Sequence, residues 1–293
     1  MRFMCATAST ERHESMVGTA STVRSFILVQ QEGPWGIDAL HDSQLPFEVA
    51  TALTLACRRA GVRPLLIRRH GHATGGIRVF AARADATDPW LETALLDDVT
   101  EVLDIDLVAL GRGVGTGMDR VEDPVFLVCT NGSHDLCCAA FGRPLAKVLM
   151  DSHPDHAWEV SHVGGDRFAG NLVVLPDGLY YGRVTPQDGP RIVQAHLDGH
   201  LDLAHLRGRS GHSFTVQAAE HHLRLHTGLT GLGDVVLVAA RRDDDLVTAT
   251  FAAAGRPWSV VVRTVIGEPA VLTCRSTGPN RPRHHELVAI EQR

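Results

Sequence analysis

Apolar positions along the chain change their spacing several times, and each change marks an element. The unbroken apolar run inside SFILVQ (25–30) predicts a buried strand, and the turn-rich EGPWG (32–36) ends it. Leu45, Val49, Leu53 and Ala56 then recur at helical spacing. Pro46 stands near the first turn and Gly61 at the stop, so a helix is predicted between them. RPLLIRR (63–69) and IRVFAA (77–82) return to strand patterning. Leu95, Val102 and Leu107 lead through a strand-like DLVAL (106–110) into the glycine-rich GRGVGTGMDRVEDP (111–124).

A second unit opens at PVFLVCT (124–130), a strand that runs into a cysteine-bearing loop. GRPLAKVL (142–149) reads as a helix with Pro144 at its first position, and WEVSH (158–162) as the next strand. NLVVLP (171–176) and LYYGRV (179–184) form a predicted hairpin, and GPRIVQAHL (189–197) a closing helix. This order resembles the thioredoxin fold. Farther on, Phe214, Ala218 and Leu225 mark one side of a helix, and DVVLVAA, LVTATFAA, WSVVVRTV and AVLTC read as strands. STGPNRPRHHE (276–286) reads as a loop or tail. The expected class is α/β (α+β mixed): a disordered tail at 1–22, thioredoxin-like units at 23–120 and 121–208, and a small α+β extension at 209–293.

Composition narrows the function classes. At 293 residues, 44% hydrophobic and 21% charged, the chain has an ordinary globular composition, and its net charge of -6 offers no footprint for nucleic acid. No apolar run approaches the roughly 18–20 residues of a membrane span. Lys147 is the one lysine, and its neighbours LAKVL fit neither a phosphate loop nor a Schiff-base site. Gly111, Gly113, Gly115 and Gly117 depart from the dinucleotide spacing, and the acidic stretch behind them opens no helix. That loop reads as a flexible linker. The first residues lack the apolar stretch of a secretory signal, so a cytoplasmic location with reduced cysteines is expected.

Reduced cysteines that cluster point to metal or redox chemistry. Cys5 falls in the tail, Cys57 in a helix and Cys274 in a strand-like segment, whereas Cys129, Cys137 and Cys138 fall within ten residues. His162 and Asp166 bracket the run H-V-G-G-D. Both segments leave the carboxyl ends of neighbouring predicted strands, which brings two thiolates, an imidazole and a carboxylate to one edge. Thiolate and imidazole are ligands of iron–sulfur clusters and zinc. Gly164 and Gly165 would free backbone amides to face sulfur, and Arg167 would supply compensating charge. His222 and His226 share a helix face but lack the glutamate of a zinc-hydrolase motif.

The segment CTNGSHDLCCAAFGRPLAKVL followed by WEVSHVGGDRFAGNLVVLPDGLYYGRV resembles the sucrase/ferredoxin-like family, whose cluster domain is a thioredoxin-like [2Fe–2S] ferredoxin. EGPWG is similar to that family's N-terminal half, so the resemblance covers roughly 23–210. It implies iron held by cysteines spaced C-x8-C and histidines spaced H-x3-H. Cys129, Cys138 and His162 match that pattern, and Asp166 stands at the second histidine position. The fourth ligand is open among Asp166, His134 and Cys137. The implied function is one-electron transfer or redox sensing through a [2Fe–2S] cluster with a redox partner protein, an electron carrier rather than an enzyme. No nucleic acid or membrane partner is expected. The alternatives are a zinc-stabilised or cluster-free binding module and a thiol redox protein using Cys137 and Cys138, which lack the C-x-x-C arrangement.

Overall fold

The computed structural model describes residues 3–69 and 75–293. Its elements are α1 (Cys5–Glu11), β1 (Ser25–Gln30), α2 (Phe47–Ala60), β2 (Val62–Arg68), β3 (Ile77–Arg83), β4 (Trp90–Leu96), α3 (Leu107–Gly111) and β5 (Asp119–Val121). There follow β6 (Val125–Cys129), α4 (Leu136–Ser152), β7 (Ala157–Val160), β8 (Leu172–Leu175), β9 (Leu179–Tyr181), α5 (Asp188–Leu197) and β10 (Leu206–Arg209). The C-terminal part comprises α6 (Phe214–Thr227), β11 (Val235–Asp243), β12 (Leu246–Ala253), β13 (Arg256–Ile266) and β14 (Arg283–Gln292). The class is mixed α/β, with one large sheet and one small one.

The large sheet runs β10-β9-β8-β6-β7-β2-β1-β3-β4-β5, and its order exposes a duplication. In the first half β1 lies between a parallel β2 and an antiparallel β3, with β4 and β5 added outward. In the second half β6 lies between a parallel β7 and an antiparallel β8, with β9 and β10 outward. Each half is a thioredoxin-like unit whose crossover helix, α2 or α4, joins its parallel pair. The units meet where β2 pairs antiparallel with β7, Ile67 opposite Val160 and Arg68 opposite Glu159. Corresponding strands therefore face each other across a pseudo-two-fold axis. β1 and β6 are buried along their whole lengths, which explains their unbroken apolar runs.

Local chemistry sets the helix ends. α2 carries Glu48 in its first turn and Arg58 and Arg59 in its last, which complements the helix dipole. It stops at Gly61, whose φ of 69° is a conformation that glycine adopts without a Cβ penalty. α2 buries Val49, Ala50, Leu53 and Cys57; burial pushes the Cys57 thiol up to about 12, consistent with a packing role. α4 begins six residues ahead of the predicted start because the Asp135 side chain accepts a hydrogen bond from the Cys137 amide. Pro144 therefore lies inside that helix. Gly142 on α4 packs so closely that an added Cβ would sit 2.0 Å from the Cys129 carbonyl oxygen.

Several expectations are corrected. The tail is not wholly without structure: residues 5–11 form α1, with Cys5 and Ser9 buried, while residues 1 and 2 lie outside the described residues. DLVAL forms the short α3, capped by Asp106 accepting from the Ala109 amide. The 111–124 loop is pinned to the sheet rather than free. The Thr116 amide and hydroxyl both donate to Glu92 at 2.7 Å, and β5 pairs with β4. AVLTC is a turn with one bridge, Ala270 to Asn280, and the residues read as a closing tail begin β14. On α6 the buried apolar stripe is Val216, Ala219 and Leu223, with Phe214 and Leu225 exposed.

α6 also buries polar groups against the small sheet, β11-β12-β13-β14, and β10. Arg224 is fully buried, and its Nε donates to Glu220 at 3.0 Å. Burial acts to raise the Glu220 carboxyl, but His212, Arg209 and Arg224 outweigh it and hold Glu220 down at about 2. A carboxyl depressed on folding contributes stability above its ordinary value of 4.5, and that contribution is lost as pH falls toward about 2. Urea unfolding at successive pH values should show stability falling across that window. In Glu220→Gln the fall should flatten, and an unchanged slope would refute the assignment.

Candidate metal centre

Cys129 closes β6, Cys138 lies in the first turn of α4, and His162 follows β7. Parallel pairing of β6 with β7 brings these segments to one end of the second unit. The two sulfurs and a His162 ring nitrogen lie within 4.8 Å of one another. Asp166 opens a single 3-10 turn, accepts from the Cys138 thiol at 3.3 Å, and stands 3.0 Å from His162 Nδ1. That nitrogen has the spacing of an ion pair but no aligned hydrogen bond. His134 stacks on His162, ring centroids 3.6 Å apart, and groups with His162 and Asp166 as potential donors.

The electrostatics differ sharply between the two thiols. Cys129 shares a hydrogen bond with Cys138, and this, together with His162 and the Val163 amide, outweighs burial and draws its thiol down to about 5. The same shared hydrogen bond, with burial, pushes Cys138 far up. Burial acts to lower His162, but Asp166 and Cys129 outweigh it and raise the imidazole to about 9. Burial opposes ionisation of Asp166, yet His162 and Cys138 hold its carboxyl below the ordinary range. The arrangement thus favours thiolate at Cys129 and carboxylate at Asp166, while Cys138 and His162 hold protons that a metal would have to displace.

A family model described as sucrase/ferredoxin-like matches residues 16–208, well over half of the chain. The chain belongs to the sucrase/ferredoxin-like family. Two curated proteins, both named altered inheritance of mitochondria protein 32, are similar to part of it. The protein from Meyerozyma guilliermondii is 37% identical over 88 residues, covering 26% of this chain and 31% of that protein. The protein from Candida glabrata is 28% identical over 102 residues, covering 30% and 33%. This chain thus spans about a third of the curated relatives that it matches. Among solved structures, a variant of the thioredoxin-like [2Fe–2S] ferredoxin from Aquifex aeolicus aligns with 29% of this chain and 97% of its own, at 22% identity and a TM-score of 0.25.

In this sucrase/ferredoxin-like protein the structure sorts the sequence candidates. Cys129, Cys138, His162, Asp166 and His134 come together. Cys137 does not: it faces the other way from its neighbour Cys138 and packs with Cys5 and Cys274. Gly164 and Gly165 both have positive φ, at 92° and 81°, and form the turn that sets Asp166. The amide beside Cys129, however, is that of Val163. Arg167 pairs with Glu14 at 2.6 Å. Arg207 is instead the buried cation behind the loop: its Nη1 donates to the Gly164 carbonyl at 3.0 Å and to Asn171 at 2.8 Å. Burial pulls Arg207 down to about 10, while Asp166 and Cys129 act to keep it charged. Its strand, LRGR, carries no pattern that singles it out.

Both units frame the exposed edge of the centre. The Arg63 guanidinium on β2 donates to the His162 carbonyl at 2.9 Å, and the Leu66 amide donates to the Ser161 hydroxyl at 3.0 Å. His134 Nδ1 lies 3.2 Å from the Ile37 carbonyl. His134 and His162 thus line a shallow depression with Leu40 and Arg63 of the first unit. Among the described residues no helix is long and apolar enough to cross a membrane.

Proposed function

We propose that this protein is an iron–sulfur electron carrier whose [2Fe–2S] cluster is held by Cys129, Cys138, His162 and Asp166. The observation that supports this most is the convergence of two thiol sulfurs and an imidazole nitrogen within 4.8 Å, from segments on two neighbouring strands. The low Cys129 thiol and the Asp166 carboxyl, held below its ordinary range, suit a cationic centre. When bound, the group would supply one-electron redox chemistry, and an imidazole ligand raises its potential relative to four thiolates. The chain's own contribution is to hold that chemistry out of water. Cys129 and Cys138 are 1% and 0% exposed, whereas the His162 side chain is 26% exposed. An electron would therefore enter or leave on the histidine side, where a redox partner protein would meet residues of both units.

A second reading has one observation in its favour. The 3.3 Å between Cys138 and Asp166 and the grouping of the Cys129, Cys138 and His162 ligand atoms within 4.8 Å are compact enough for a single ion, and two thiolates, an imidazole and a carboxylate suit zinc. Anaerobically purified full-length protein separates the two. Iron and acid-labile sulfide in equal amounts, brown colour and an electron paramagnetic resonance signal on reduction are expected. Colourless protein with zinc lost on mutating Cys129 would overturn the iron–sulfur assignment.

A further inference from the structure

The sequence assigns no common role to Cys5, Asp135, Cys137 and Cys274, which lie up to 269 residues apart. Folding brings them together. Cys5 is on α1, Asp135 and Cys137 are at the start of α4, and Cys274 is in the turn between β13 and β14. That turn is held by paired hydrogen bonds between Ala270 and Asn280, and Arg275 donates to the Ser133 carbonyl at 3.0 Å.

We propose that these four residues form a second metal site, a mononuclear zinc site of three thiolates and one carboxylate that clasps α1 and the β13–β14 turn to the start of α4. Cys5 Sγ lies 3.6 Å from Cys137 Sγ, and Cys137 Sγ lies 3.4 Å from Cys274 Sγ. Cys5 Sγ is 3.6 and 3.7 Å from the two Asp135 carboxylate oxygens. Zinc–sulfur bonds of about 2.3 Å and zinc–oxygen bonds of about 2.0–2.2 Å at tetrahedral angles place ligand atoms about 3.5–3.8 Å apart. All four ligand atoms lie within 4.8 Å of one another. Cys137 is nearly equidistant from the other two sulfurs, a symmetry that a single disulfide would not use.

Backbone amides face two of the three sulfurs. The Ala6 amide donates to Cys137 Sγ and the Cys5 amide to Cys274 Sγ, each at 3.4 Å. Amide-to-sulfur hydrogen bonds of this kind support the ligands of metal–thiolate sites. The Cys137 and Cys274 amides donate to the two Asp135 oxygens at 2.9 and 2.7 Å, which fixes the carboxylate without using all its lone pairs. Zinc binding would convert three thiols and one carboxylate to a zinc trithiolate carboxylate, releasing three protons. The resulting net charge, two minus, equals that of a four-cysteine zinc site, and the N-terminus of α4 offsets part of it.

This site shares no ligand with the centre at Cys129, so the two can be read separately. Zinc is measured on anaerobically purified full-length protein and on Cys274→Ser, whose cysteine is only partly buried. One zinc per chain is expected beyond whatever the Cys129 site holds, falling more than about tenfold in Cys274→Ser and persisting in Cys129→Ser. Cobalt exchanged into unmutated protein should give the intense visible bands and thiolate charge transfer of a tetrahedral thiolate site, a readout independent of any variant's folding. Absence of that zinc, its retention in Cys274→Ser, iron in its place, or a Cys5–Cys137 or Cys137–Cys274 disulfide in non-reducing peptide maps would each overturn the proposal.

Discussion

Cys129→Ser is expected to lower bound iron more than about tenfold, because it removes a thiolate, where disturbing even an outer partner of a ligand costs 10–100-fold. The thiol has no spare neighbour to replace it: Cys137, eight positions along, faces away from the site and packs with Cys5 and Cys274. Cys57→Ala serves as the comparison, since Cys57 is equally buried but packs from α2 into the core of the first unit. Iron by mass spectrometry, with colour and circular dichroism on the same samples, makes the measurement. Iron loss in both variants, or in neither, would disconnect the binding from Cys129.

Arg68→Ala should destabilise the fold by about 3–5 kcal/mol, the cost of removing one partner from a buried ion pair. Arg68 Nε and Nη2 donate to Glu159 at 2.9 and 2.7 Å, both side chains being almost wholly enclosed. Its Nη1 donates to the Gly33 carbonyl at 3.1 Å, and the guanidinium lies 4.1 Å from the centre of the Trp35 ring. The Thr130 hydroxyl also donates to Glu159, at 2.6 Å, so the residue after Cys129 belongs to the same network. Lysine at position 68 should recover only part of the loss, because it has no planar fork with which to serve Glu159, Gly33 and the indole together. Urea unfolding decides the matter: a loss below about 1 kcal/mol would mean that the pair adds little across the junction.

What the sequence revealed follows from how local each signal is. Cys129, Cys138 and His162 stand out because neighbouring strands bring short, compact motifs together. Cys5 and Cys274 did not, because their partnership depends on where both ends of the chain return, and neither flanking sequence carries a motif. Polar residues around Cys5 suggested a tail, although α1 buries only Cys5, Ala6 and Ser9. Pro144 misled the start of α4: proline favours a first turn, but the Asp135 cap upstream and packing against β6 keep it within the helix. Arg207 was invisible for another reason, since a charged residue on a strand ordinarily faces water and only the surrounding fold encloses it.

The β2–β7 junction also limits how the chain can be divided. Taken alone, the second unit would expose the backbone of β7, whose residues are all buried, along with the Ser161 groups that β2 now satisfies. An open apolar strand margin of that kind recruits strands from other molecules and seeds aggregation. The half of the chain without a cysteine cluster thus seals the strand margin of the half that has one.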